Sequence, residues 1–153
     1  MKTVKKLVAV VLVGAMALSL AACGSKAKKI SADDFKSKLE KEGFTVMDTG
    51  ASDEGVKSSM MAYNEDMSVI VNYNIFESKD DAKKYFDDMK SSAEEAKKDG
   101  SIEKLSTSSS KITADGGDSG YIVVVYAEDM IIMATSMSGN SDGVKDCIKT
   151  LGV

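Results

Sequence analysis

Residues 67–76 read Met-Ser-Val-Ile-Val-Asn-Tyr-Asn-Ile-Phe, and this alternation constrains the fold more than any other stretch of the chain. Met67, Val69, Val71, Tyr73 and Ile75 point one way, against Ser68, Asn72 and Asn74; Ile70 and Phe76 alone interrupt the polar side. Side chains in a strand alternate between the two sheet faces, so this pattern describes a strand with one buried face. Residues 56–63 precede it across the turn Asn64-Glu65-Asp66, which makes the pair a β-hairpin. A second hairpin is expected from residues 121–126 and 130–137, with shorter strands at 44–48 and 102–107. Strands joined by short turns form an antiparallel sheet.

Three helices are expected to cover it. Ser31 with Asp34 three residues later is a capping-box pattern, Ile30 can staple against Phe35, Phe35 and Leu39 lie one turn apart, and Gly43 supplies the stop. Ser78 and Asp81 repeat the cap ahead of the longest helix, where Ala82, Tyr85, Phe86, Met89, Ala93 and Ala96 make one apolar stripe; Asp99-Gly100 ends it. Asn140 or Ser141 caps the last helix, which ends near Leu151. The expected class is therefore α+β, an antiparallel sheet with two or three helices packed on one face. Tyr63-Asn64-Glu65-Asp66-Met67 recurs as Tyr126-Ala127-Glu128-Asp129-Met130, each copy followed by a strand and a capped helix. Two strand-strand-helix pseudo-repeats would explain this, as would the shared residue preferences of acidic turns.

The start of the chain has a different character. Lys2, Lys5 and Lys6 precede a nearly unbroken apolar run over residues 7–20, and Leu20-Ala21-Ala22-Cys23 places small residues directly before a cysteine. This stretch resembles the lipoprotein signal peptide of bacteria, with Leu20-Ala21-Ala22-Cys23 as its lipobox. The resemblance implies that residues 1–22 are cleaved and that Cys23 becomes an acylated, palmitate-bearing N-terminus. It implies a cell-membrane lipoprotein on the extracytoplasmic face, whose partner is the lipid bilayer. An uncleaved span is the alternative, but the apolar run is short of the ~20 residues that a span requires. Residues 23–29 then form the lipidated cysteine and a short tether, and residues 30–153 a single α+β domain.

Composition excludes several kinds of chemistry. The chain has no histidine, so Ser-His-Asp and Cys-His catalysis and His-ligated zinc are ruled out. All 20 basic residues are lysine, which removes the bidentate guanidinium fork from any anion site. Cleavage would leave 153 less 22, or 131 residues; it removes three lysines and no acid, so 17 lysines face 24 acids for a formal charge of −7. An acidic domain lacks the basic footprint of a nucleic-acid binder. With Cys23 acylated, Cys147 stands alone and no intramolecular disulfide forms.

The remaining candidates each have a plainer reading. Cys147 shares an apolar helix face with Val144, Ile148 and Leu151, which suits a buried small hydrophobe better than a reactive thiol. Met60, Met61, Met67, Met130, Met133 and Met137 could offer thioethers to Cu(I), but their alternation splits them between faces. Ser108-Ser109-Ser110-Lys111 matches Ser-x-x-Lys without its companion motifs. Asp115 and Asp118 lack the spacing of a calcium loop. Glu65-Asp66 and Glu128-Asp129 read as solvated turns, and Lys83, Lys84, Asp87, Asp88, Glu94, Glu95, Lys97 and Lys98 as the wet face of the long helix.

No catalytic, cofactor-binding or metal residue is therefore expected; Cys23, as the lipidation site, is the one functional residue. The favoured reading is a non-catalytic module that contacts a protein or an envelope component, for which Ile70, Phe76, Met61 and Met133 are candidate surface residues. A small-ligand or metal-binding lipoprotein with a pocket lined by Tyr73, Tyr121 and Tyr126 is the alternative. An enzyme working with Asp, Glu, Lys, Ser and Tyr is the third reading.

Overall fold

The computed structural model describes residues 27–51, 55–137 and 140–153. The lipobox and the segment before it, Cys23 included, lie outside these residues. Helix α1 (Ala32–Lys41) leads into strands β1 (Thr45–Asp48), β2 (Val56–Tyr63) and β3 (Ile70–Phe76); helix α2 (Lys79–Lys98) follows. Strands β4 (Lys104–Thr107), β5 (Lys111–Asp115), β6 (Tyr121–Ala127) and β7 (Met130–Ser136) then precede helix α3 (Ser141–Leu151). All seven strands belong to one antiparallel sheet in the order β1-β2-β3-β7-β6-β5-β4. The α+β class stands as expected. Both edges are strands of only four residues, which limits the unpaired backbone offered to another chain.

The caps hold where the sequence places them. Asp34 N donates to Ser31 Oγ, Asp81 N to Ser78 Oγ and Gly143 N to Asn140 Oδ1, so each helix start has one otherwise orphaned amide satisfied. Strand β3 begins at Ile70, later than its alternation suggests, because two side chains hold the preceding turn. Asp66 Oδ1 accepts from Ser68 N, and Asn64 Oδ1 accepts from Val69 N. Strand β5 was not marked out in the sequence. Ile112 and Ala114 alternate there over only five residues, too short a run to register.

Two apolar clusters lie on opposite faces of the sheet. On the first face, α1 and α3 pack Phe35, Leu39, Val144, Cys147, Ile148 and Leu151 against Ala62, Val71, Tyr73, Val123, Val125, Ile132 and Ala134. On the second face, α2 packs Ala82 and Phe86 against Val56, Phe76, Ile112, Val124 and Ile131. Two helices thus share a face and the longest occupies the other, which corrects the expectation that all helices pack on one face. The sequence carries a sign of this: β6 and β7 run Val123-Val124-Val125 and Ile131-Ile132 without alternation, as strands buried on both sides do.

Equivalent positions of the two hairpins, Ala62 with Val125 and Val71 with Ala134, face the same core. The helices that follow the hairpins go to opposite faces, so the two halves do not match as whole strand-strand-helix units.

The sheet has two distinguishable ends. At the hairpin end lie Val56, Phe76 and the β6–β7 turn, joined where Phe76 N donates to the Asp129 carbonyl. At the far end lie Thr45, Tyr63, Ile70, Thr135, Tyr121, Asp115 and Lys104. Helix α2 starts at the hairpin end, with Lys79 on Glu128, and is about 30 Å long. It finishes beside β4, where Lys97 Nζ donates to the Glu103 carbonyl. It therefore crosses the second face diagonally and leaves the far part of β1, β2, β3 and β7 uncovered.

Candidate functional site

The uncovered part of the second face can be built row by row from the strand register. One row across the sheet runs Thr45, Tyr63, Ile70, Thr135, Ile122; the next runs Met47, Met61, Asn72, Met133. Cross-strand partners point to the same face, so these side chains form one surface. Met47 and Ile122 are 41% and 39% exposed, while Met61, Tyr63, Ile70, Asn72, Met133 and Thr135 are half-buried. No charged residue belongs to either row, in a chain that is 29% charged. Met137, 81% exposed, follows β7 at the same end. Of the four surface residues expected from sequence, Ile70, Met61 and Met133 lie here. Phe76 does not: it is 4% exposed beneath α2, its ring 5.2 Å from that of Tyr85. The register shift between Val56 and Ser58 brings Val56 opposite Phe76 under the helix.

The three tyrosines suggested for a pocket are not brought together. Tyr73 is buried on the first face, where its hydroxyl donates to the Ile30 carbonyl at 3.0 Å; burial pushes the phenol up to about 12. Tyr121 lies at the far end of that face with Lys145 Nζ 5.3 Å from its ring centre. Tyr126 is on the other face, stacked on Phe86. A shallow, open depression of about 360 Å³ lies where α2 meets the sheet, lined by Gly55, Phe76, Asp81, Lys84, Tyr85 and Asp88. Its charges are already engaged: Lys84 pairs with Asp88 at 3.1 Å, and Asp81 accepts from Ser78 Oγ.

The other candidates fall on separate elements. Cys147 is buried in the core under α3, and desolvation raises its thiol to about 11. Among the methionines, Met60 and Met130 face the first core, Met61 and Met133 the second face, and Met67 and Met137 solvent. Ser108 Oγ accepts from Lys111 N at 3.0 Å and closes the β4–β5 turn, which occupies the serine with backbone duty. Asp115 Oδ1 accepts from Gly117 N ahead of a short 3₁₀ turn, and Lys104 lies 3.8 Å from its other oxygen. Among the described residues, no group of three or more acidic, histidine or cysteine side chains is placed to hold a metal ion. None of their helices is long and apolar enough to cross a membrane.

The β6–β7 turn departs from the expectation of a solvated acidic pair. Glu128 does reach into solvent and meets Lys79 at 3.0 Å. Asp129 does not: Lys29 Nζ lies 2.6 Å from its Oδ1. That oxygen is sealed from solvent, and the Lys29 ammonium is the group placed to compensate it. Burial is the largest single influence on Asp129 and opposes its ionisation, yet the Lys29 ammonium, the residue's own backbone amide and the Lys79 charge together hold the carboxyl below its ordinary value of 3.8. Nothing in the sequence marked this pair, because its members are far apart in the chain.

Comparison of the chain with protein-family models and with curated proteins gave no match.

Proposed function

We propose that this chain is a membrane-anchored, extracytoplasmic lipoprotein, attached through acylated Cys23, whose domain is a non-catalytic contact module. The observation that carries the contact role is the charge-free surface of Met47, Met61, Tyr63, Ile70, Met133 and Ile122 on the uncovered half of the sheet. Protein interfaces are depleted of charge at their centre and enriched in Met and aromatic residues, and contiguous apolar surface on a soluble domain marks contact sites. Asn72 among the apolar groups supplies hydrogen bonds that a partner can satisfy, whereas the Thr135 hydroxyl already donates to the Ile70 carbonyl. Dispersal of the tyrosines weighs against the alternative of a ligand pocket, and the charges that line the depression beside Tyr85 are already engaged with one another or with Ser78.

A photo-crosslinking amino acid at position 63 tests this in cells producing the full chain. A discrete adduct is expected, with another protein or with an envelope polymer. It should disappear on Ile70→Lys and be missing when the crosslinker sits at Glu94 on α2. Equal labelling at both positions would sink the reading. Retention of the label on Cys23→Ser, with the protein still in the membrane fraction, would remove the anchor.

A further inference from the structure

The first described residues form a strap fixed to the hairpin end of the sheet. Ala27 and Ile30 pack against the first core, Lys29 is paired with Asp129, and the Ile30 carbonyl accepts from Tyr73. Three independent contacts thus hold residues 27–30 before α1 begins. Four peptide steps separate Ala27 from Cys23, a reach of at most about 14 Å even when fully extended. Helix α2 alone measures about 30 Å from the hairpin end to the far end. A tether this short cannot bring the far end to the point of attachment.

We propose that this strap is an orientation clamp. It seats the hairpin end, with Glu128, Asp129 and Lys79, against the headgroup layer of the bilayer, and it holds the open half of the sheet away from the lipid. The inference rests on the lipid anchor at Cys23. At the hairpin end Lys29 pairs with Asp129 and Lys79 with Glu128, so the two acids of the β6–β7 turn are neutralised toward a headgroup surface, while Glu77 and Asp80 beside them keep their charge. The charge-free surface is thereby directed to a partner standing outward from the membrane, instead of being spent on the membrane itself.

The chain has no tryptophan, so single substitutions supply clean reporters. The full chain, processed in bacterial membranes, is reconstituted into phosphatidylcholine vesicles bearing nitroxide-labelled headgroups. Glu77→Trp reports on the hairpin end, Met137→Trp on the far end and Ile122→Trp on the open face. Quenching is expected to be several-fold stronger at position 77 than at either of the others. Combining Asp129→Asn and Tyr73→Phe with Ile30→Ser removes the ion pair, the hydrogen bond and the main apolar contact of the strap, and should abolish that difference. Equal quenching at 77 and 137, strongest quenching at 122, or an unchanged difference in the freed strap would each overturn the clamp. Vesicle flotation of the same samples separates this from failure of the anchor. A protein that floats no better than its Cys23→Ser variant has no lipid anchor, and the orientation falls with it; one that floats but shows equal quenching loses the orientation alone.

Discussion

Replacing Lys29 by methionine would leave Asp129 Oδ1 sealed from solvent without its paired ammonium, with only the more distant Lys79 to offset its charge. Removing one partner of a partly buried pair costs more than the pair is worth, because the remaining charge stays desolvated. Both side chains keep some solvent contact, so Lys29→Met is expected to cost about 1 kcal/mol in urea unfolding. Adding Asp129→Asn should recover most of that loss, which a double-mutant cycle reads directly. Cys147 offers a second check at this scale. With its thiol raised to about 11 and its side chain in the core, it should react with a thiol reagent only as fast as the domain unfolds. Rapid labelling of the folded protein would contradict the packing of α3.

Among the elements, the three helices were legible because each combines a side-chain cap with a periodic apolar stripe. Ser78→Ala should cost about 1 kcal/mol in unfolding free energy, since Asp81 N and Asp81 Oδ2 both lose their partner. An unchanged midpoint would mean that water replaces the cap without loss. The strands of the first hairpin were legible from alternation. Which face each helix covers was not, since amphipathicity shows that a helix buries one side without saying against what. The doubly apolar stretches of β6 and β7 hold that information, and the polar Asn72 of β3 marks where cover is missing. The uncovered surface was partly legible for the same reason. Its outline needed the diagonal path of α2, which depends on tertiary packing. Phe76 was misplaced because one irregularity near Val56 and a helix starting three residues later decide its surroundings.

For the molecule as a whole, the absence of histidine sets the response to pH. No side chain of ordinary pKa titrates between about pH 5 and 8, so unfolding midpoints should form a plateau there. Below it, three carboxylates act in the same direction. Asp129 is held low by Lys29 against its burial, Asp66 by the Ser68 amide and hydroxyl, and Asp99 by Ser101. Each binds its proton more weakly in the fold than in the unfolded chain, so stability is lost as pH falls through the range below their ordinary 3.8. Above the plateau, Cys147 and Tyr73 stay protonated in the fold after an unfolded chain would ionise, from 9.0 and 10.0. The unfolded state gains there, and stability should decline from about pH 9 upward. A midpoint that moved between pH 6 and 7 would be incompatible with this chemistry.

The strand order also sets a timetable. The centre of the sheet is the β3–β7 pair, which joins residues 70–75 to residues 130–135, and β7 is the last strand of the chain. Neither core can close before β7 arrives, because Ile132 and Ala134 belong to one and Ile131 to the other. A chain emerging from its N-terminus therefore has only local helices and hairpins to form until almost all of it is present. Until then the apolar face of each early hairpin and helix has no partner, so a growing chain carries those surfaces open until its last strand joins.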